Sequence, residues 1–351
     1  MASEKLFENI PPFPNDIPTA PISTISLAGL RSGDHSVAAS LLTSAQELGF
    51  FLLDLRDDDI GKVLVEEIDK LFAMSKIVFN LPKETKQLYL HNAPKSFLGY
   101  KPQGYSKVET KQPDRFEWFN LGQDGLTGCA PLQPLPPVME SNLPLFKSFL
   151  KHGQNIIEMI SRTLATQLGL PPDSFTSLQS PSKPSGTVIR FIKSHACQTA
   201  EDLRTSMIHH TDFGTITLLA NVLGGLQVLR PGGSPDDDSA WLWVRPQPGC
   251  LIVNLGDAMA QWTGGLLRSN VHRIRYPPGE QRFLDRYSVA ILARPERDAS
   301  MRRFAGQGED SENTEDDNLT AWEWEVKKTL ASARGQAIMM SRGGKPAVKE
   351  Q

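Results

Sequence analysis

Short strand-like runs follow one another from Gly186 to Ala293, and they leave few folds open. They read GTVIRFI, GTITLLANV, LQVL, AWLWV, CLIVNL, NVHRIRY and DRYSVAILA, separated by turn residues and by the polar hairpin loop RPGGSPDDDSA. Many short strands at close spacing imply a sandwich, jelly roll or barrel rather than a parallel α/β sheet.

The residues ahead of this block read differently. Pro-rich FPNDIPTAP leads into a short strand, ISTISL, and a helical run, SVAASLLTSAQELGF, that Gly49 should stop. FFLLDL reads as a buried strand and DIGKVLVEEIDKLFAMSKIVFNL as a long amphipathic helix. From Lys95 to Pro137 the periodicity dissolves into a loop rich in Gly, Pro and aromatics, a kind of segment that in a compact domain is often functional. LPLFKSFLKHGQNIIEMISRTLATQLGL is the longest helix, ended by Gly169 and Pro171. Thr320 and Glu323 form a capping box opening the helix AWEWEVKKTLASAR, and SRGGKPAVKEQ should be a frayed tail. The boundary expected is 1–140 for the N-terminal helix and strand region with its covering loop, and 141–351 for the β core with its C-terminal helix, the two forming one compact unit.

Composition narrows the function classes. Hydrophobic content of 39% with 22% charged residues suits a globular chain with a sizeable core. A net charge of −3 without a basic stripe argues against nucleic acid. Three scattered cysteines suggest neither a disulfide framework nor a Cys-x-x-Cys metal knuckle. No signal-peptide core and no run near the ~20 apolar residues of a membrane span is visible. The expectation is a cytoplasmic protein with no membrane partner.

The chemistry concentrates in HHTDFGTITLL. On a strand, residues two apart share a face, so His210 and Asp212 would present an imidazole and a carboxylate side by side. His272, in NVHRIRY, is the candidate third ligand. Two histidines and one carboxylate with vacant positions is the arrangement of non-haem Fe(II) oxygenases; a structural zinc would want a fourth ligand, for which no further Cys or His is well placed. On the last strand, Arg286 and Ser288 are also two apart. A buried guanidinium needs an anion and its fork matches a carboxylate, so the pair reads as a clamp for the far end of a dicarboxylic cosubstrate whose other end chelates the metal.

The order HTDFGTITLL, GGLQVL, WVRPQPG, IVNLGD, SNVHR and RYS closely resembles the isopenicillin N synthase-like 2-oxoglutarate/Fe(II) dioxygenase family. The likeness is strong from Thr187 to Pro295, extends to the N-terminal region, and is loose from about Lys95 to Pro144. It implies an α+β fold with a mainly β core: a double-stranded β-helix (jelly roll) flanked by N-terminal helices and a long support helix. It implies iron on His210, Asp212 and His272, 2-oxoglutarate on Arg286 and Ser288, and O2-dependent oxidation of a small organic molecule in specialised metabolism. Two departures matter. A tyrosine that helps hold the cosubstrate in relatives falls on Phe191, and the turn before the distal histidine reads WTGG, Trp262 to Gly265.

Alternatives stay open at this level. A 2-oxoglutarate-independent iron oxidase of the same fold would account for Phe191, and a non-catalytic partner subunit would keep the barrel alone. His209 should face away from the site as a surface or packing residue, and His35, His91, His152 and His195 should be structural. Asp257 reads as a turn or supporting acid, Asp114 and Glu117 as solvated. Tyr100, Tyr105, Phe116, Trp118 and Phe119 could wall a pocket or fill the core. The C-terminal helix could cover the barrel mouth or pair the chain with an identical or different subunit.

Overall fold

The computed structural model describes residues 4–93, 95–106, 112–197, 207–304 and 315–333. The segment expected to be a frayed tail lies outside the described residues. Among the described residues twelve strands form two sheets. They are β1 (Thr24–Ser26), β2 (Phe50–Asp54), β3 (Gly99–Lys101), β4 (Phe116–Gly122), β5 (Val188–Ser194), β6 (Met207–His210), β7 (Ile216–Asn221), β8 (Leu226–Leu229), β9 (Trp241–Trp243), β10 (Cys250–Leu255), β11 (His272–Ile274) and β12 (Arg286–Leu292). The larger sheet has the order β1-β2-β10-β7-β12-β5-β4-β3 and the smaller β6-β11-β8-β9. All pairings between these strands are antiparallel except β1 with β2.

Alternation along the strands sorts side chains onto two faces. On β12, Val289 and Ile291 pack into the main core beneath the helices Asp59–Phe79 and Leu143–Gln167, with Phe146, Phe149 and Ile157. Arg286, Ser288, Ala290 and Leu292 face the other way, into the interior of the roll. A second apolar cluster lies between the sheets, with Phe50, Leu52 and Ile252 from one and Leu226, Val228 and Leu242 from the other. It closes one end of the roll and leaves the other end to polar groups.

The helices fall where their periodicity predicts. His35–Glu47 stops at Gly49, whose φ of 71 lets Gly49 N–H reach back to Ser44. Thr320 and Glu323 exchange the two bonds of a capping box at the head of Ala321–Ala333.

Two expectations fail here. The stretch from Lys95 to Pro137 is not a long loop: it contributes β3 and β4 to the large sheet, and β4 pairs with β5 along its whole length. Both faces of β4 are covered, so all seven of its residues are buried and no alternation marks the strand. Asp114 and Glu117, expected in solvent, are only 2% and 3% exposed. Lys101 Nζ meets Asp114 at 2.7 Å; Glu117 accepts from Lys86 Nζ at 2.8 Å and Tyr100 Oη at 2.5 Å. The two acids bind β3 and β4 to their neighbours through buried ion pairs.

Candidate active site

Three side chains meet at the open end of the roll. β11 pairs with β6 so that His272 lies opposite His210, and the two imidazole centroids are 4.3 Å apart. Asp212 lies just beyond the end of β6, not on the strand as its spacing suggests, yet its carboxylate turns back toward the histidines. Asp212 Oδ1 is 3.9 Å from each Nε2, and the ligand atoms of all three residues lie within 4.8 Å of one another.

The remaining atoms are already committed, which fixes the ones that point inward. His210 Nδ1 meets the Ile208 carbonyl at 2.9 Å and His272 Nδ1 the Asn270 carbonyl at 3.1 Å, so each ring donates from Nδ1 and keeps a bare Nε2. Asp212 Oδ2 accepts from Thr217 Oγ1 at 2.7 Å and Asn254 Nδ2 at 2.8 Å, leaving Oδ1 toward the histidines. Burial raises the Asp212 carboxyl, but His272, His210, Asn254 and Thr217 outweigh it and hold it at about 2. Burial, and after it His272, pushes the His210 imidazole down to about 4. The cluster therefore turns one carboxylate oxygen and two imidazole Nε2 atoms inward, the donor set a divalent transition metal takes.

Across the cavity stands Arg286, 1% exposed. Its Nε donates to the Gly224 carbonyl at 2.7 Å, and Nη1 lies 3.4 Å from Ser288 Oγ. Nη2 is buried with no partner. Burial drives its pKa down to about 10. The Gly224–Gly225 turn makes room for it: Gly225 has φ of 116, and a Cβ there would come within 3.2 Å of Arg286 Nε. An orphaned buried N–H on a cation, beside a hydroxyl, fits a carboxylate ligand.

Phe191 drops out of this site. It points to the helix side of β5, where its ring packs on Phe146 at 5.9 Å. The residues of β5 that enter the cavity are Arg190, Ile192 and Ser194, and Ser194 stands in register with Arg286. Nothing at Phe191 bears on the cosubstrate, so that ground for a 2-oxoglutarate-independent oxidase is removed. The missed residues had a signal: in VIRFIKS, period two places Arg190, Ile192 and Ser194 on one face.

The other expectations resolve individually. His209 packs near the Trp241 ring, and His152 lies 2.9 Å from Glu67. His195 sits 3.3 Å from Glu117. Asp257 accepts from Thr211 Oγ1 at 3.1 Å and Lys328 Nζ at 2.6 Å, while its N–H donates to the Asp212 carbonyl at 2.8 Å. It supports the loop carrying Asp212 from behind. Phe119 faces the helices and Trp118 the interior, Tyr100 is buried and Tyr105 exposed.

Known proteins resemble this chain in sequence and fold. The 2OG-Fe(II) oxygenase superfamily profile matches residues 185–295, and the profile described as non-haem dioxygenase in morphine synthesis N-terminal matches 21–135. A 2-oxoglutarate-dependent dioxygenase of Glarea lozoyensis, gloE, is 32% identical over 287 residues, 81% of this chain and 83% of its own. A 2-oxoglutarate-dependent dioxygenase of Gibberella zeae is 30% identical over 318 residues, 89% and 88% of the two chains. Among solved structures, a full-length Neurospora crassa protein in complex with alpha-KG superposes with a TM-score of 0.72 at 23% identity, covering 88% of this chain and 95% of that one. This chain belongs to the 2OG-Fe(II) oxygenase superfamily. It is an Fe(II)- and 2-oxoglutarate-dependent oxygenase with a jelly-roll core, acting on a small organic molecule. No helix among the described residues is long and apolar enough to cross a membrane.

Proposed function

We propose that His210, Asp212 and His272 are the iron ligands and that Arg286 with Ser288 holds the far carboxylate of 2-oxoglutarate. The observation that carries this reading is the complementary commitment of the five side chains. Both imidazoles are anchored through Nδ1, Asp212 through Oδ2, and Arg286 through Nε, so the remaining atoms converge on one cavity. Iron with 2-oxoglutarate and O2 supplies the oxidising power, with succinate and CO2 as co-products.

The chain's own residues do the positioning. Thr217 and Asn254 hold the Asp212 carboxylate against rotation, Phe50 packs edge-on against the His272 ring at 5.5 Å, and the apolar cluster between the sheets keeps water from the closed end. Hydroxylation is the default reaction proposed, with desaturation or oxidative rearrangement as the alternatives, in specialised small-molecule metabolism. The N-terminal and C-terminal portions act as one unit, since β2 and β4 sit in the same sheet as β10 and β5.

The C-terminal helix serves as a wall of its own chain's cavity. Lys328 reaches Asp257, Glu325 pairs with Arg294, and Trp324 is 3% exposed. Cytoplasmic residence follows from the need to keep iron ferrous. The test is succinate release: wild-type protein should form it from 2-oxoglutarate only with Fe(II) and O2, and Asp212→Ala should not. Near-normal turnover in that variant would remove the ligand assignment.

A further inference from the structure

Arg190 is a half-buried cation, facing the cavity, that the proposed metal and cosubstrate roles leave unused. It projects from β5 into the roll, and its contact partners are both neutral: Asn120 Oδ1 accepts from Nε at 2.8 Å, and the Trp118 ring lies 5.1 Å from the guanidinium carbon. Among the described residues no carboxylate comes within ion-pair distance of it. Other arginines nearby are matched, Arg294 by Glu325 and Arg297 by Asp124. A guanidinium in a cavity wall with no carboxylate in contact is matched where a ligand supplies the anion.

Its place points to the ligand. Arg190 lines both the metal-side cavity, about 70 Å³, and a second cavity of about 310 Å³. The second opens between β4, β5 and the C-terminal helix, and it lies within the size range of small-molecule sites. Leu98, Val188, Trp322, Val326 and Leu330 give it apolar walls. Trp322, Val326 and Leu330 are 41%, 38% and 43% exposed, and their spacing sets them on one helix face at the mouth. Trp324 and Lys328, on the opposite face, tie the helix to the body.

We infer that the substrate oxidised here is an organic acid, whose carboxylate is bound by Arg190 at the junction of the two cavities and whose apolar body lies against the outer one. The inference rests on the oxygenase reading of the metal-side cavity and adds the chemical class of the substrate. Asn120 orients the guanidinium through Nε, which leaves the fork of Nη1 and Nη2 for the carboxylate. A neutral amide or ester of the same shape leaves the cation unpaired and binds more weakly.

The experiment uses the full chain loaded with Mn(II) in place of iron and with 2-oxoglutarate, so that no turnover consumes the probes. Octanoic, 3-phenylpropanoic and 2-naphthoic acids, each beside its primary amide, are titrated by calorimetry against wild type, Arg190→Gln and Arg190→Lys. In wild type at least one acid should bind at least about tenfold more tightly than its amide, the scale of one charge-assisted hydrogen bond. Arg190→Gln should erase that preference with 2-oxoglutarate affinity held, and Arg190→Lys should keep part of it. The inference is overturned if no acid binds wild type, if acids and amides bind alike, or if the preference survives in Arg190→Gln. Loss of 2-oxoglutarate binding in Arg190→Gln would overturn it too, by assigning the arginine to the cosubstrate. Failure of wild type to take up Mn(II) and 2-oxoglutarate would instead defeat the underlying oxygenase site, and is read before any probe is added.

Discussion

Replacing Arg286 with methionine should separate stability from cosubstrate binding, because the residue is costly to the empty fold and needed by the filled one. In the protein without ligands, Arg286 is a buried cation with Nη2 unpartnered and with only the Gly224 carbonyl and Ser288 hydroxyl to offset its desolvation. Methionine of similar length removes a penalty of several kcal/mol and orphans one carbonyl at a cost of about 1–3 kcal/mol. The empty variant should therefore unfold at or above the wild-type midpoint. With 2-oxoglutarate the order reverses. Two lost charge-assisted hydrogen bonds are worth about 3–5 kcal/mol together, or roughly 10²–10⁴ in Kd. At a 2-oxoglutarate concentration of about 100 times the wild-type Kd, wild type gains about 2.7 kcal/mol, and a variant weakened about 100-fold gains about 0.4 kcal/mol. Thermal unfolding of the Mn(II)-loaded proteins with and without 2-oxoglutarate reads both numbers. A variant that keeps the wild-type ligand shift refutes the clamp. One that loses several kcal/mol when empty refutes the claim that the charge is uncompensated.

Further outcomes follow from the same geometry. Thr217→Val should lower metal affinity by about 10–100-fold while leaving the fold intact, because Asp212 Oδ2 loses one of its two anchors; metal titration checks this. Gly256→Ala should destabilise the protein and disturb metal binding, since a Cβ there would collide with the Gly214 carbonyl oxygen and crowd that of Asp212; urea unfolding and metal titration read the two effects. Burial raises the Glu117 carboxyl, yet His195, Lys86 and Tyr100 together hold it at about 2. With a folded pKa below the unfolded one, its contribution is complete above about 4.5 and is lost as pH falls toward 2. Glu117→Gln should be less stable at neutral pH but lose less on acidification through that window, as chemical unfolding at a series of pH values would show.

The convergence of three side chains was legible because they are rare residue types: His210 and Asp212 two apart, then His272 opening a strand that folds back beside them. Arg286 and Ser288 were legible for a similar reason, a charge and a hydroxyl on one face of an otherwise apolar strand. β4 was not legible, because alternation records contrast between two environments and FEWFNLG is buried on both sides. Glu117 and Asp114 looked like solvent groups for want of visible partners. Lys86 lies 31 residues from Glu117 and Lys101 lies 13 from Asp114, and only the folded sheet brings them together. Phe191 was misread through its likeness to relatives, where strand parity alone would have placed it against the helices. Arg190 carried a signal of the same kind as Arg286 but lacked a neighbour to give it meaning. Asn120 comes from another strand.

The proposed site unites the His210, Asp212 and His272 cluster with the Arg286 clamp around iron and 2-oxoglutarate. Anaerobic titration of the purified chain with Fe(II) and then 2-oxoglutarate tests it most directly, through the weak visible charge-transfer absorption of a 2-oxo acid chelated to ferrous iron. A saturable band in wild type that is absent in Asp212→Ala and demands far more 2-oxoglutarate in Arg286→Met is the predicted result. Iron binding with no band, or a band that persists unchanged in both variants, would contradict the account.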